Sequence, residues 1–262
     1  MTAASIVARH DRLLTMLERP YFKAIAKEKN RYITAAANAF ARDGILPRNL
    51  LAEHIEYMQA ISEKYNTRAI RIFAMEAEKN IKKSNPGLLE TKADDFERWI
   101  KSVIANWVLT ESGKKAKQTA VTTSEDVKKA VEAALLSDPE ETDASVAKSI
   151  LRAKGLSVFR ADTIARTETH NASMYAMQEN AKRVSRDNDI VLMKRWLPVE
   201  DSRTRETHND MLNHPDVIME GYFDVERISG GFDSMDRPGD PSASAENTIN
   251  CRCTLQYIKS NG

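Results

Sequence analysis

The sequence predicts an α+β protein, with a long-helix N-terminal region followed by a compact, loop-rich α+β C-terminal domain. Glycine and proline, which interrupt helices, are unevenly spread along the chain. Residues 1–154 contain three glycines, whereas residues 198–262 contain five glycines and four prolines. The spacing of apolar residues also changes, from every third or fourth residue early in the chain to every second residue near its end.

The composition indicates a folded chain with no general attraction to nucleic acid or membrane. Hydrophobic residues make up 42% of the chain, charged residues make up 29%, and the net charge is +1. No run of about 18 apolar residues is present, and the first residues lack the apolar core of a secretory signal. Since the chain has only two cysteines, we expect synthesis in a reducing cytoplasm, where a disulfide is unusual.

Residues 1–120 are predicted to form the helical N-terminal region. Segments 2–19 and 21–42 are rich in Ala, Leu, Lys and Glu, and Pro20 is expected to separate them into two helices. Two further helices are expected, one from Pro47 to the Asn85–Gly87 turn and one over about residues 93–111. Apolar residues on the first of these lie three or four positions apart: Leu51, Ile55, Met58, Ile61 and Tyr65.

A charged segment is predicted to separate the two regions. The preceding helix is expected to close at Ser112–Gly113, and residues 113–123 are polar and basic. Residues 125–143 then contain seven acidic residues against two lysines. We therefore predict a charged tether or loosely packed helices over residues 121–154.

Residues 155–262 are predicted to form the compact C-terminal domain. Its first element is a helix over about residues 158–184, after which the apolar period changes from helical to extended. The later elements are expected in this order: a strand at 190–199, a short helix at about 203–212, extended pieces at 217–219 and 222–228, a loop at 229–246 and a strand at 248–258.

Both cysteines, Cys251 and Cys253, lie in the last predicted strand. Alternation along this strand places five residues on one face: Ile249, Cys251, Cys253, Leu255 and Tyr257. Because the face is apolar and buried Cys behaves as a small hydrophobe, the two thiols are predicted to fill the core as part of a core strand.

The same spacing leaves a metal site open, because residues two apart on a strand point the same way. His208 is the best third ligand, and the candidates for a fourth are Asp201, Glu168 and His170. A structural zinc normally has four ligands, and the chain has no second cysteine pair. A redox pair or disulfide between such close neighbours would be strained.

Charged residues cluster in two segments of the C-terminal domain. The first is ARTETH, with Arg166 and Glu168, and the second is DSRTRETH, with Asp201, Arg203, Arg205 and His208. Carboxylates, guanidinium groups and an imidazole that lie close together can form a catalytic site or an ion-pair network. The chain lacks a glycine-rich phosphate loop and a nucleophile–base signature, which favours the network.

Four motifs in order resemble the head morphogenesis domain of phage Mu F-like minor capsid proteins, over about residues 155–258. The matching residues are Arg166, Thr167, Glu168 and Asn171; Asp201, Arg203, Arg205 and His208; Pro238, Gly239, Asp240 and Pro241; and Asn250, Cys251, Arg252 and Cys253. The family commonly has a glycine soon after the histidine, whereas here the next glycine is Gly221, so this loop is expected to differ in shape.

The resemblance implies a minor head protein of a tailed phage, present in few copies in the virion, at the portal vertex or in the head interior. Such a protein would act in head assembly, DNA packaging or DNA delivery, and would reside in the host cytoplasm during assembly. The implied partners are the portal protein, major capsid or scaffold proteins and phage DNA, with no membrane. The resemblance implies neither an enzymatic activity nor a cofactor.

Two other functions stay open at this stage. One is an enzyme, either a metal-dependent hydrolase or a transferase, that uses Glu168, Asp201, Arg203, Arg205 and His208. The other is a DNA-binding ejection protein, because residues 1–50 carry nine Lys and Arg against four Asp and Glu.

Overall fold

A computed structural model of the protein describes residues 2–88, 92–137 and 142–260, with the backbone alone for residues 154–158. The chain forms two compact units, each built from separate stretches of sequence. The first unit comprises Met1–Leu17, Asn66–Asn106 and Arg166–Gly262. The second, which we call the helical unit, comprises Glu18–Tyr65 and Trp107–Ala165.

Six long or medium helices account for most of the described chain. They are α1 (Ala3–Asp43), α2 (Arg48–Ser84), α3 (Ala93–Trp107), α4 (Gly113–Ser137), α5 (Asp143–Arg152) and α6 (Lys154–Asp187). A single π-helical segment, Val108–Ser112, joins α3 to α4. Within the described residues, no helix combines the length and the apolar character needed to cross a membrane.

The remaining elements are short and lie after α6. They are β1 (Leu192–Leu197), α7 (Glu206–Asn209) with the 3-10 segment Asp210–Asn213, β2 (Val217–Ile218), β3 (Phe223–Glu226), β4 (Phe232–Met235), α8 (Ala245–Thr248) and β5 (Thr254–Lys259). Strands β2, β1 and β5 form an antiparallel sheet in that order, in which Trp196 pairs with Leu255. Strands β3 and β4 form a separate antiparallel hairpin. Long helices followed by small antiparallel sheets confirm the predicted α+β class.

The predicted break at Pro20 is wrong, because α1 runs through this proline. Proline removes one backbone hydrogen bond and strains the preceding turn. The residues on either side of it nevertheless share a buried stripe, with Leu14, Leu17, Tyr21 and Ile25 all almost fully buried. Burial of this stripe outweighs the local cost of the proline.

The predicted helix end at Ser112–Gly113 is also wrong, because the π-helical segment leads directly into α4. Residues 121–154 were predicted as a tether or loosely packed helices. In the structure they contain the second part of α4 and all of α5, and residues 138–141 lie outside the described residues. Val127, Val146 and Ile150 on these helices are fully buried. The domain boundaries at residues 120 and 155 stay a prediction.

The predicted strand at 248–258 is shorter and begins later. Helix α8 ends at Thr248, the chain is irregular from Ile249 to Cys253, and β5 starts at Thr254. The cysteines therefore precede the strand, although both are buried as predicted. The predicted loop at 229–246 contains β4 and the start of α8. Aspartate side chains order this segment, because Asp233 accepts a hydrogen bond from the backbone N–H of Ser244 and Asp240 accepts one from that of Ser242.

Apolar side chains at helical spacing hold the helical unit together. Two buried clusters form its core. The first contains Tyr32, Ile33, Ala36, Ala37, Phe40, Leu50, Val127, Ala134, Val146, Ala147 and Ile150. The second contains Tyr21, Ile25, Met58, Ala116, Ala120, Ala161 and Ala165. The many alanines allow the helices to approach closely.

Candidate functional site

The predicted motifs meet at the turn before the cysteines, where Asn250 has a left-handed backbone with φ of 58°. The backbone N–H of Asn250 donates to the Thr167 hydroxyl at 3.2 Å, and the Arg166 guanidinium donates to the Asn250 side-chain oxygen at 3.1 Å. The Arg205 guanidinium donates to the backbone oxygen of Ile249. Residues from the first two motifs thus fix this turn, which we call the NCRC turn (Asn250–Cys253).

Asp201 connects the second motif to the NCRC turn. Its carboxylate accepts a hydrogen bond from the Arg252 guanidinium at 2.5 Å and one from the backbone N–H of Arg203 at 3.0 Å. The hydrogen bond from Arg252 holds the pKa of Asp201 well below its usual value. The Arg203 side chain reaches the same carboxylate only at 3.4 Å and is largely exposed.

The first motif also supports the loop that contains Gly239, whose φ of 70° suits glycine. A Cβ at Gly239 would lie 2.6 Å from His170 Nδ1 and 2.5 Å from the Asn171 amide group. The amide of Asn171 is oriented so that its nitrogen faces two backbone oxygens. It donates to the oxygen of Gly239 at 3.0 Å and to that of Thr167 at 3.1 Å. His170 Nε2 lies 2.8 Å from the backbone oxygen of Cys253, so helix α6 contacts both loops.

His208, Cys251 and Cys253 form the one group of three metal-ligating side chains found among the described residues. Their ligand atoms all lie within 4.8 Å of one another, and all three side chains are buried. Cys251 Sγ lies 3.6 Å from His208 Nδ1, and Cys253 Sγ lies 3.4 Å from the same atom. None of the predicted fourth ligands, Asp201, Glu168 or His170, joins this group.

Asn247 determines which ring nitrogen of His208 faces the thiols. The Asn247 amide nitrogen lies 2.9 Å from a carboxylate oxygen of Asp233, so it must be the donor there. The Asn247 oxygen, 3.2 Å from His208 Nε2, therefore accepts a hydrogen bond from that nitrogen. In the neutral imidazole, the lone pair of His208 Nδ1 therefore faces the two sulfurs.

The two thiols behave as one titrating pair. Burial raises the pKa of Cys251, but the hydrogen bond from Cys253 and a Coulombic contribution from His170 bring it well below its usual value. The hydrogen bond to Cys251, followed by burial, raises the pKa of Cys253 well above its usual value. The first proton leaves the pair much more readily than the second.

Sequence reasoning missed the polar residues that support this region. Lys194 on β1 is fully buried, and its ammonium donates to Asp236 Oδ1 at 2.8 Å and to the backbone oxygens of Gly221 and Asp236 at 2.8 and 2.9 Å. Alternation along β1 places Lys194 on the face opposite the exposed Arg195, and this spacing was the available sign that Lys194 is buried. Arg252 was a recognised motif residue and Asn247 lies three residues before that motif, but nothing in the sequence revealed their partners.

The residues of the predicted charged cluster make separate contacts around the NCRC turn. Arg166 and Arg205 bond to the NCRC turn, and Asp201 bonds to Arg252. His208 faces the thiols, and Glu168 is buried on α6. These contacts join loops and helices to one another.

Comparison with known families agrees with this arrangement. A family model described as "Phage Mu protein F like protein" matches residues 125–256, half of the chain, from within α4 to within β5. The chain belongs to this family of phage head proteins. Neither a curated protein nor a solved structure gives a significant match to the chain.

Proposed function

We propose that this phage head protein is a minor head component that associates with the portal vertex and acts during head assembly and DNA packaging. Membership of the Mu F-like family supports the assignment to the phage head. The portal vertex is proposed because the chain combines a rigid, polar-bonded C-terminal part with a helical surface suited to a multimeric partner.

The geometry of the motif residues supports a structural role. Asp201, Arg205 and Arg166 each bond to a loop, and His208 lies in a buried cluster of side chains. An enzyme that used these residues would need them around one accessible cleft within reach of a substrate. The observed contacts instead stabilise the NCRC turn and the loops beside it.

The helical unit exposes large apolar side chains that suit a protein partner. Leu109 is 79% exposed, Leu136 is 84% exposed and Phe159 is 77% exposed. Isolated exposed apolar residues are ordinary, but burial of several of them in one interface would contribute to binding. Their place on helices fits docking against another helical protein.

Contact with DNA has weaker support. Of the nine basic residues in positions 1–50, Arg9, Arg31 and Arg42 form ion pairs with Glu76, Glu28 and Asp43. Lys29 is buried, and burial lowers its pKa to about 8. These contacts reduce the charge that is available to phosphate groups.

The proposal is tested with particles assembled with and without the portal protein. Quantitative mass spectrometry would count this chain against the major capsid protein in both preparations. We expect particles without portal to lose the chain, and lysine cross-links in portal-containing particles to join it to the portal. Equal amounts in both preparations would overturn the portal assignment while leaving the head-protein assignment in place.

A further inference from the structure

We propose that His208, Cys251 and Cys253 bind a Zn²⁺ ion that joins the NCRC turn to helix α7. The proposal concerns a metal site and is independent of where the protein lies in the phage particle. It rests on the positions of three buried ligand atoms and on the hydrogen bonds that orient the imidazole ring.

The distances from His208 Nδ1 to the two sulfurs match a tetrahedral zinc site. Zinc binds thiolate sulfur at about 2.3 Å and imidazole nitrogen at about 2.1 Å, which places the two ligand atoms about 3.6 Å apart at the tetrahedral angle. The observed separations from His208 Nδ1 are 3.6 Å for Cys251 Sγ and 3.4 Å for Cys253 Sγ. Both sulfurs are therefore already at ligand spacing.

The lone pair of His208 also favours an ion over a simple hydrogen bond. One imidazole nitrogen has a single lone pair, which can accept one straight S–H hydrogen bond. Here two sulfurs lie at nearly equal distances from Nδ1, as they would around an ion placed between all three atoms. Two buried thiol groups at this spacing, which bind metals as thiolates, suit a divalent cation.

Asn247 has the position of an outer-shell residue that supports a metal ligand. A metal-binding histidine usually donates its second N–H to a fixed acceptor, which sets the ring orientation. Asn247 accepts from His208 Nε2 and is itself held by Asp233 and by the backbone oxygens of Val225 and Glu226. The edge of Trp196 packs against the His208 ring, with ring centroids 5.6 Å apart.

Two thiolates and one imidazole select zinc over magnesium or calcium, which prefer oxygen ligands. No other His, Cys, Asp or Glu in the described part of the chain joins the group, so the fourth position is assigned to a water molecule. The ion would link three elements by their side chains: α7 through His208, the NCRC turn through the cysteines, and the β3–β4 hairpin through Asn247.

The test measures metal in the full-length chain purified under reducing conditions. Inductively coupled plasma mass spectrometry should find about one zinc per chain after dialysis against metal-free buffer. Replacement of zinc by Co²⁺ should produce the visible bands of tetrahedral cobalt and a near-ultraviolet sulfur-to-cobalt band. The cobalt spectrum reports the ligands directly and does not depend on any activity.

Variants identify the ligands. C251S, C253S and H208Q should each lose bound zinc and the cobalt spectrum, whereas H214Q, which changes a histidine in the same segment, should retain both. N247L should bind zinc about 10- to 100-fold more weakly, because the imidazole would lose its orienting acceptor. Circular dichroism of each variant would show whether it folds.

If a ligand variant does not fold, the wild-type chain still decides the question. Modification of the thiols with a mercurial reagent should release stoichiometric zinc, measured with a chromogenic chelator. The proposal would be overturned by wild-type protein with less than about a tenth of an equivalent of zinc and no cobalt bands after titration. A Cys251–Cys253 disulfide in the reduced preparation would overturn it equally.

Discussion

The helical unit and the C-terminal segment from β1 to β5 are stabilised in different ways. In the helical unit, two buried apolar clusters rich in alanine supply the core, and the polar side chains of Glu28, Lys29 and His54 are buried beside them. In the C-terminal segment, short strands and loops depend on buried polar groups such as Lys194, Asp240 and Asn247. The first arrangement tolerates exchange among apolar residues, whereas the second requires particular donors and acceptors.

This difference explains why the recognisable motifs lie in the C-terminal segment. Loops lack the regular backbone hydrogen bonds of helices and strands, so each buried backbone N–H or C=O group in a loop must find another partner. Arg205 donates a hydrogen bond to the backbone oxygen of Ile249. The Asp240 carboxylate accepts hydrogen bonds from the backbone N–H groups of Asp236 and Ser242. Such contacts fix residue identity at particular positions, while a helix needs only an apolar stripe.

The sharpest test of the comparison uses two neighbours on β1, Lys194 and Arg195. Lys194→Met would remove the ammonium donor from two backbone oxygens and from the Asp236 carboxylate, which keeps its contacts with Gln178 and Arg237. We therefore expect a loss of about 3 kcal/mol in the free energy of unfolding. Arg195→Met removes a partly exposed ion pair with Asp216 and should cost about 0.5 kcal/mol. Urea unfolding followed by circular dichroism measures both, and equal losses would contradict the buried-donor account.

A second test addresses the apolar core of the helical unit. Ile25 is fully buried, and Ile25→Ala should reduce the free energy of unfolding by about 3 kcal/mol through lost burial and a cavity. Leu136→Ala, at an 84% exposed position, should change it by less than about 0.5 kcal/mol. Urea unfolding measures both variants. Equal losses in the free energy of unfolding would contradict the placement of Ile25 in the core.

A third test concerns the close approach of Gly239 to helix α6. Gly239→Ala must adopt a positive φ and also place a Cβ against His170 and Asn171, so we expect a loss of about 2–3 kcal/mol. Gly230→Ala has the same backbone strain but no atom within 4 Å of the added carbon, and should lose about 1 kcal/mol. Thermal unfolding compares them, and a Gly239 variant as stable as the Gly230 variant would exclude tight packing.

The smallest effect is expected in the pH dependence contributed by Asp201. Because Arg252 lowers the folded-state pKa of Asp201, its stabilisation is present above the unfolded pKa of about 3.9 and is lost as pH falls through the folded pKa. For this partly exposed carboxylate we expect about 0.5–1 kcal/mol. The stability difference between wild type and Asp201→Asn should therefore be constant above about pH 5 and shrink in more acidic buffer.

The control for this profile is Glu200→Gln, which removes an exposed carboxylate one residue away. Unfolding midpoints in urea, measured from neutral to acidic pH, should be nearly the same for this variant and wild type. An Asp201→Asn profile that stayed parallel to wild type down to about pH 2 would show that the Arg252 contact does not lower the carboxyl pKa.

Sequence reasoning predicted the elements whose physics is local. Helical spacing predicted α2 and α6, and the change of period predicted β1, β2 and β3, whereas β4 lies in a segment predicted as a loop. The predicted helix break at Pro20 was wrong because burial of the apolar stripe on both sides of it stabilises α1 by more than the one lost hydrogen bond costs. The start of β5 was misplaced because alternation in the sequence continues through Ile249–Cys253, where the backbone instead turns at Asn250.

The candidate site was only partly predictable. The grouping of His208 with Cys251 and Cys253 followed from residue types alone, and the structure brings these three together. The partners Asn247, Arg252 and Lys194 could not be predicted, because each contact joins residues far apart in the sequence through loops of irregular geometry. Only tertiary structure shows that a given carbonyl or carboxylate faces them.

The central claim is that this chain is a minor component of a phage head. Quantitative mass spectrometry of purified proheads and mature virions from the source phage tests it most directly, by counting the chain against the portal and the major capsid protein. The account predicts a few to a few tens of copies per particle in both preparations. Absence from both would contradict it, and the charged residues of the motifs would then have to be tested as an active site.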